Sequence, residues 1–335
     1  MPPIELVKTF VSNDFLRARH AAYATPETVI FDLIKQATGQ HALRRLPIVQ
    51  GYDNQVYLVS TEQQAEFIVR IRQHGSTSYA QEAWAIEQSR LAGAPVPEVL
   101  WIGRLPPDHE WADAPAREVM VQRKVTGQAL SERQNTLTAR ELAYVWAQVG
   151  AALSQIHSVT VGGFYKLNSN GQWDYATYAQ IMASHLQARQ AETPLLLQCG
   201  FSASEIERML ATIVTCTQEF RCEQPVLCHG DLHPHHLFIA DNLRLSAIID
   251  FGEFQGGAPT VDFVTLKMEH PAVDWRWLQA GYANKRLFAD NFEWQLTLRA
   301  IGPQMGYLAY YVQQGNQVEV KKSIQSLRML LQELD

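Results

Sequence analysis

The sequence predicts an α+β protein of two lobes, and three observations carry that prediction. Runs of β-forming residues cluster between Leu46 and Val125. From Gly127 onward, apolar residues recur at helical spacing instead. One strand–turn–strand unit bounded by acidic residues interrupts the helical part. At 335 residues the chain is also longer than most single hydrophobic cores. The expected organisation is a helical N-terminal extension over 1–45, a first lobe over 46–126 and a second over 127–335.

The elements follow in order. Pro26 and Glu27, then Val29, Ile30, Leu33 and Ile34, read as a helix start and its apolar face. Val56–Val59 and Phe67–Ile71 read as strands, with Thr61–Gln64 as the turn between them. A helix is expected near Tyr79–Ala92, closed by Gly93 and barred from continuing by Pro95 and Pro97. Val99–Ile102 and Val119–Val121 form a second strand pair around a Pro- and Asp-rich loop, Leu105–Pro115. Gly127 marks the linker. Thr138 and Glu141 form a capping box ahead of Leu142, Val145, Trp146, Val149 and Leu153. Ser204 and Glu207 are read as a second box ahead of Met209, Leu210, Ile213 and Val214, and Ile324, Leu327, Leu331 and Leu334 share the face of a last helix.

Composition narrows the function. Hydrophobic residues make up 47% and charged residues 19%, the balance of an ordinary globular enzyme. A formal net charge of -6 gives no attraction to DNA or RNA, so no nucleic-acid partner is expected. No apolar run reaches membrane-spanning length, and Met1–Val11 lacks the basic-then-apolar layout of a signal peptide, so a cytoplasmic protein is expected. Cys199, Cys216, Cys222 and Cys228 form no CxxC motif and read as reduced packing thiols.

The chemistry concentrates in one stretch. Cys228-His229-Gly230-Asp231-Leu232-His233-Pro234-His235-His236 runs into Leu237–Ile239, then a turn at Ala240–Asn242, then Leu245–Ile249 and Asp250-Phe251-Gly252-Glu253. A strand hairpin of this kind returns Asp231 and Asp250 to the same end. Phosphoryl transfer needs such a pair: one carboxylate to orient or accept the hydroxyl proton, another to hold Mg²⁺ against the phosphates. The kinase catalytic loop has the form H-x-D, a metal-binding amide five residues on, and a later D-F-G. His229-Gly230-Asp231, position 236 and Asp250-Phe251-Gly252 fall at those places.

On these residues the chain resembles the aminoglycoside-phosphotransferase and choline-kinase family, over roughly residues 46–335. The resemblance implies a bilobal protein-kinase-like fold: an antiparallel sheet lobe with a helix, then a larger helical lobe carrying the catalytic β-hairpin. It implies transfer of the γ-phosphate of ATP or GTP to a small-molecule hydroxyl, with Asp231 as base and Asp250 and His236 as metal ligands. Gly51, Asp53 and Asn54 would lie in the nucleotide-covering turn, although no Walker loop is present. Arg70 stands where kinases hold the phosphate-contacting Lys, and Glu82 is its expected partner. Gln122 and Val125 lie in the stretch resembling the interlobe hinge, whose backbone meets the nucleobase. Asp262 is expected to brace the catalytic loop, and His229 to bond backbone near the metal loop.

One residue departs from the family pattern: His236 stands where Asn is usual, as in some macrolide-phosphotransferase relatives. Imidazole suits transition metals better than Mg²⁺. That departure supports one alternative, a non-catalytic pseudokinase-like binding protein. The crowding of His229, His233, His235 and His236 supports another, a metal-dependent hydrolase, but the further motifs such an enzyme needs are absent. For His233 and His235, hydrogen bonding within the loop is the expected role. The acceptor pocket is expected from the helical region Gly162–Phe201 with the C-terminal helices. Gly162–Tyr165, Trp173–Tyr175 and Tyr307–Gln314 resemble the hygromycin-phosphotransferase branch. Aminoglycosides, macrolides and hydroxylated metabolites are all candidate acceptors, and Glu253, Asp262, Glu269 and Asp274 are the acids that an aminoglycoside would use. Trp275, Trp277 and Trp294 are read as helical core.

Overall fold

The computed structural model describes residues 24–49, 54–72, 78–105, 117–270, 272–289 and 291–335. They form two compact units. One holds the described residues up to Ala83 together with Pro97–Val125; the other holds Trp84–Val96 and Thr126–Asp335. The readings on Met1–Val11, on Gly51 and Asp53, and on most of the Pro-rich loop lie outside the described residues.

In the first unit, β1 (Ala42–Ile48), β2 (Asn54–Thr61), β3 (Glu66–Arg72), β4 (Val99–Arg104) and β5 (Glu118–Arg123) form one antiparallel sheet, ordered β1-β2-β3-β5-β4. The expected hairpin joins β2 to β3, with Ser60 opposite Glu66. Along β2, half-buried and buried residues alternate, as period-2 geometry requires of a sheet with one covered face. The cover is the helix Glu27–Thr38. Its Ile30, Leu33 and Ile34 pack on Tyr57, Val59, Phe67, Val69 and Ile71 in one core cluster. The helix read from sequence as an extension therefore completes the core of the sheet. Burying each large apolar side chain there contributes about 1.5–3 kcal/mol.

The helix Tyr79–Leu91 is shared, its first residues grouping with the sheet and Trp84 onward with the larger unit. In that unit the long helices are Ala139–Ile156, Tyr178–Ala191, Ala203–Glu219, Phe292–Gln313 and Gln317–Glu333. The capping box at Thr138 and Glu141 forms as expected. The second box is at Ser202 and Glu205 instead of Ser204 and Glu207. Both pairs satisfy the same Ser-x-x-Glu spacing; Ser202 wins because it is the residue with extended ψ just before the helix.

Strands β6 (Gln128–Ala129), β7 (Phe164–Leu167), β8 (Trp173–Tyr175), β9 (Val226–Cys228), β10 (Leu237–Ile239), β11 (Leu245–Ile248) and β12 (Gln255–Gly257) make two small sheets, ordered β11-β10-β6 and β8-β7-β12-β9. The stretch 162–175, expected within a helical region, is thus a strand pair turned at Asn168–Gly171. Trp275 is buried against Phe263 and Phe292, so it is core, whereas Trp294 is half exposed, edge-on to Phe220. Among the described residues no helix is long and apolar enough to cross a membrane.

Candidate active site

Two strand pairings place the candidate residues. β10 pairs with β11, Leu237 opposite Ile248, and β9 pairs with β12, Cys228 opposite Gln255. Asp231 lies on the link from β9 to β10, and Asp250 on the link from β11 to β12. Each link is thus tied down at both ends, and the two are held side by side. Gly230 shows how closely they pass. It has φ +83°, and a Cβ on it would lie 2.0 Å from the Glu253 carbonyl oxygen. No other residue type fits that crossing without backbone movement.

A buried carboxylate sets the loop. Asp262, on the helix Thr260–Glu269, accepts the Gly230 N–H on Oδ1 at 2.7 Å and the His229 N–H on Oδ2 at 2.9 Å. Oδ2 also meets His157 Nε2 at 2.9 Å, and His157 Nδ1 meets the Tyr282 hydroxyl at 2.9 Å. Burial raises the Asp262 carboxyl, but His157, His229 and the Gly230 N–H outweigh it and hold it below the ordinary carboxylate value. The His229 ring turns the other way and bonds the Ile249 carbonyl oxygen at 2.9 Å, next to Asp250. Asp262 and His229 therefore sit where the sequence reading expected them. His157 was not foreseen: a lone His at a helix end carries no sequence signal.

His236 stands between the two catalytic candidates. Its Nδ1 donates to the Asp231 carbonyl oxygen at 2.8 Å, and it lies 3.7 Å from Asp231 Oδ2. Its Nε2 faces Asp250 Oδ2 at 3.6 Å. Burial, and then the neighbouring His233, push the His236 pKa down to about 4 against the opposing pull of Asp250 and Asp231. The ring is neutral at pH 7. With its proton on Nδ1, Nε2 presents a lone pair to a carboxylate oxygen, so two acceptors confront each other, the donor set of a cation site. Asp250 itself holds φ +65°, a costly conformation for a residue with a Cβ.

Asp231 is ionised at neutral pH. Burial alone would raise its carboxyl, but the neighbouring imidazoles, His233 first, hold it well below the usual range. His233 Nε2 lies 3.7 Å from Asp231 Oδ2. Burial lowers the His233 pKa, but the Asp231 carboxylate more than offsets this and leaves it above the ordinary value. His235 bonds Ser131 Oγ through Nδ1 at 2.8 Å, and its N–H donates to His233 Nδ1 at 3.3 Å. These two histidines hydrogen-bond locally, as expected.

In the sheet unit, Arg70 forms a buried ion pair with Glu82, and Arg72 approaches the other oxygen of Glu82 at 3.8 Å. Both guanidinium groups lie over the Tyr79 ring, at 5.4 and 4.5 Å. The Tyr79 hydroxyl donates to Asn54 Oδ1 at 2.9 Å. The Arg70–Glu82 pair is thus not a surface pair: Glu82 is fully buried and Arg70 nearly so. Gln122 is buried in β5 opposite Ile68, and Val125 is half buried.

Beside the catalytic loop lies a cavity of about 370 Å³. Gly230 and Glu253 line it on the catalytic side, and the helices Tyr178–Ala191 and Phe292–Gln313 wall it, with β7 contributing Phe164, Tyr165 and Lys166. The expected acceptor region is therefore a cavity. Of the acids named for an aminoglycoside, only Glu253 lines it; Asp262 is buried behind the loop, and Asp274 caps the helix Trp275–Gly281 and pairs with Arg276.

Comparison with known proteins identifies the family and the fold. A model of the phosphotransferase enzyme family matches residues 45–297. No curated protein sequence matches the chain. Among solved structures, aminoglycoside phosphotransferase APH(4)-Ia in ternary complex with ADP and hygromycin B is similar, with TM-score 0.66 and 16% identity over 90% of this chain and 98% of that one. The GDP and kanamycin complex of an APH(2″) enzyme has TM-score 0.67 and 17% identity over 92% and 99%. Macrolide 2′-phosphotransferase MphH from Brachybacterium faecium has TM-score 0.58 and 17% identity over 89% and 97%. At these identities the likeness establishes a kinase-like fold.

The Asp262 brace makes a prediction with a pH signature. Asp262→Asn removes a charge that compensates buried donors and is expected to destabilise the protein by about 3 kcal/mol near pH 7. Because the folded pKa is depressed, the carboxylate's contribution is complete above roughly pH 4, the unfolded value, and is lost as pH falls through the folded one. Denaturant melts of both proteins should show the gap closing in acid; a gap constant with pH would contradict the brace.

Proposed function

Because the chain belongs to the phosphotransferase enzyme family, we propose that it moves the γ-phosphoryl group of ATP or GTP to a hydroxyl of a small molecule, with Asp231 as base. The observation that carries this reading is the position of His236 between two carboxylates, 3.7 Å from Asp231 and 3.6 Å from Asp250. One carboxylate is left for the proton, and the other forms an acceptor pair with Nε2.

The pair Asp250 and His236 suits a divalent cation: an anionic oxygen and a neutral nitrogen face each other with no proton between them. Mg²⁺ held there would neutralise charge on the phosphates. Asp231 does the rest of the local chemistry. Ionised and oriented by His233, it accepts the proton of the acceptor hydroxyl as that oxygen bonds to phosphorus. The bond from phosphorus to the bridging oxygen breaks, and the nucleoside diphosphate leaves with the electron pair. Positioning supplies most of the acceleration.

In the sheet unit, Arg70 is the proposed phosphate contact. Glu82 holds its guanidinium in one orientation and does not itself touch nucleotide. The backbone from Gln122 to Val125 is proposed to meet the nucleobase, and Gly51, Asp53 and Asn54 to cover the phosphates. The presence of both Asp231 and Asp250 argues against a pseudokinase reading.

Two substitutions test the assignments. Asp231→Asn should lower phosphoryl transfer by about 10²–10⁴-fold while nucleotide affinity stays near wild type; turnover within a few-fold of wild type in a coupled diphosphate-release assay would refute the base. His236→Asn supplies a neutral oxygen and should retain or raise activity with Mg²⁺. A collapse of Mg²⁺-supported turnover in that variant would show that the imidazole does something an amide cannot.

A further inference from the structure

The cavity beside Asp231 also constrains what it can hold. Its lining is largely apolar and aromatic, including Phe164, Ile181, Met182 and Leu298. Four charged side chains line it: Lys166, Arg189, Arg299 and Glu253. Lys166 and Glu253 neutralise each other at 2.7 Å. Arg189 is paired with Glu192 at 3.0 Å. Burial, and then the Arg189 charge, lower the pKa of His185, so it adds no positive charge.

Arg299 differs. Among the described residues it forms no ion pair. Its guanidinium rests on the Phe220 ring at 4.7 Å and reaches only two neutral oxygens, the Tyr178 hydroxyl at 3.3 Å and the Phe220 carbonyl at 3.5 Å. Its Nε is buried with no hydrogen-bond partner. A guanidinium with no carboxylate partner, on the wall of a cavity, is placed to receive an anion. A polycation spanning the cavity would have to bury an ammonium group against that guanidinium.

The cavity has polarity along its length as well. Tyr307, also on its wall, is close enough to Asp231 and Glu269 that their charges raise its pKa, after burial as the main cause. Arg299 lies on the same helix, about 12 Å away at the usual rise per residue. The end near Tyr307 is acidic and catalytic, and the end near Arg299 is cationic.

We infer that the acceptor is a hydroxylated molecule with an apolar body and one anionic group, a hydroxycarboxylate in the simplest case, whose anion binds Arg299 and whose hydroxyl reaches the catalytic end at Asp231. The inference rests on the phosphotransferase reading and narrows it. It makes Arg299 a specificity-determining residue and disfavours aminoglycosides as acceptors.

The test uses three matched probes: ω-hydroxydecanoate, its methyl ester and the corresponding ω-amino alcohol, with kanamycin as a polycation. Their affinities for the full-length protein are measured by titration calorimetry, with Mg²⁺ and a non-hydrolysable nucleotide present. The carboxylate should bind about tenfold or more tightly than the ester, and the amino alcohol and kanamycin should bind weakest. Arg299→Gln should abolish the preference for carboxylate over ester, and Arg299→Lys should retain part of it; a merely structural role would weaken carboxylate and ester alike. Equal binding of carboxylate and ester, preference for either cation, or no binding of the carboxylate overturns the inference. The nucleotide's own affinity, measured first, separates the failures. If it binds and the carboxylate does not, only the acceptor assignment falls; if the nucleotide also fails, the phosphotransferase reading falls and takes this inference with it.

Discussion

The catalytic constellation depends on a carboxylate that never meets substrate. Asp262 receives the N–H groups of His229 and Gly230 on separate oxygens and is itself held by His157. A backbone segment with left-handed geometry at Gly230 needs such an anchor, because its amides are turned away from any strand partner. Without the anchor, the position of Asp231 is unspecified even if every other residue is retained. The paired strands then limit the remaining freedom: β9 with β12 and β10 with β11 fix the ends of both loops, and His229 links the two through the Ile249 carbonyl. Buried charge is costly, and here it is compensated by directed N–H groups instead of a full counter-ion.

From that scaffold the charges follow. Asp231 stays ionised because the neighbouring imidazoles, His233 first, offset its burial, and His236 stays neutral because burial and His233 oppose its protonation. Two groups five residues apart are thus both unprotonated at neutral pH, one an anion and the other a neutral nitrogen donor, which separates a proton acceptor from a cation ligand. The Arg70–Glu82 pair applies the same logic in the sheet unit, where a buried Glu82 fixes the direction of a guanidinium.

Much of this was legible in the sequence where the determinant is local. His229-Gly230-Asp231, the turn at Ala240–Asn242 and Asp250-Phe251-Gly252 specify a hairpin and its acidic ends by short-range chemistry, and the hairpin is present. The β2–β3 hairpin was legible because Val56–Val59 and Phe67–Ile71 are rich in β-forming residues and flank the polar turn Thr61–Gln64. Strand β1 was not, because it is an edge strand with mostly exposed residues and so has no apolar alternation to read. The pair β7 and β8 was missed for a related reason: each strand is short and stable only within a sheet whose other members, β9 and β12, lie far along the chain. Two Ser-x-x-Glu patterns overlap at 202–207, and spacing alone could not choose between them. The cavity wall was the least legible feature. Tyr178 and Arg299 meet only because two distant helices pack together. On sequence alone Arg299 is one more charged residue on a helix.

The claim that Asp231, His236 and Asp250 serve a nucleotide and its cation is tested most directly by thermal melts with ATP and with GTP, each with Mg²⁺, with Mn²⁺ and with chelator. A ligand that binds only the folded state adds about 2.7 kcal/mol of stability at a hundredfold excess over its dissociation constant. The account predicts a clear rise in Tm with one of the nucleotides when a divalent cation is present, and loss of most of that rise with chelator or in Asp250→Ala. No rise with either nucleotide in a folded sample, or a rise indifferent to the cation and to Asp250, would contradict it.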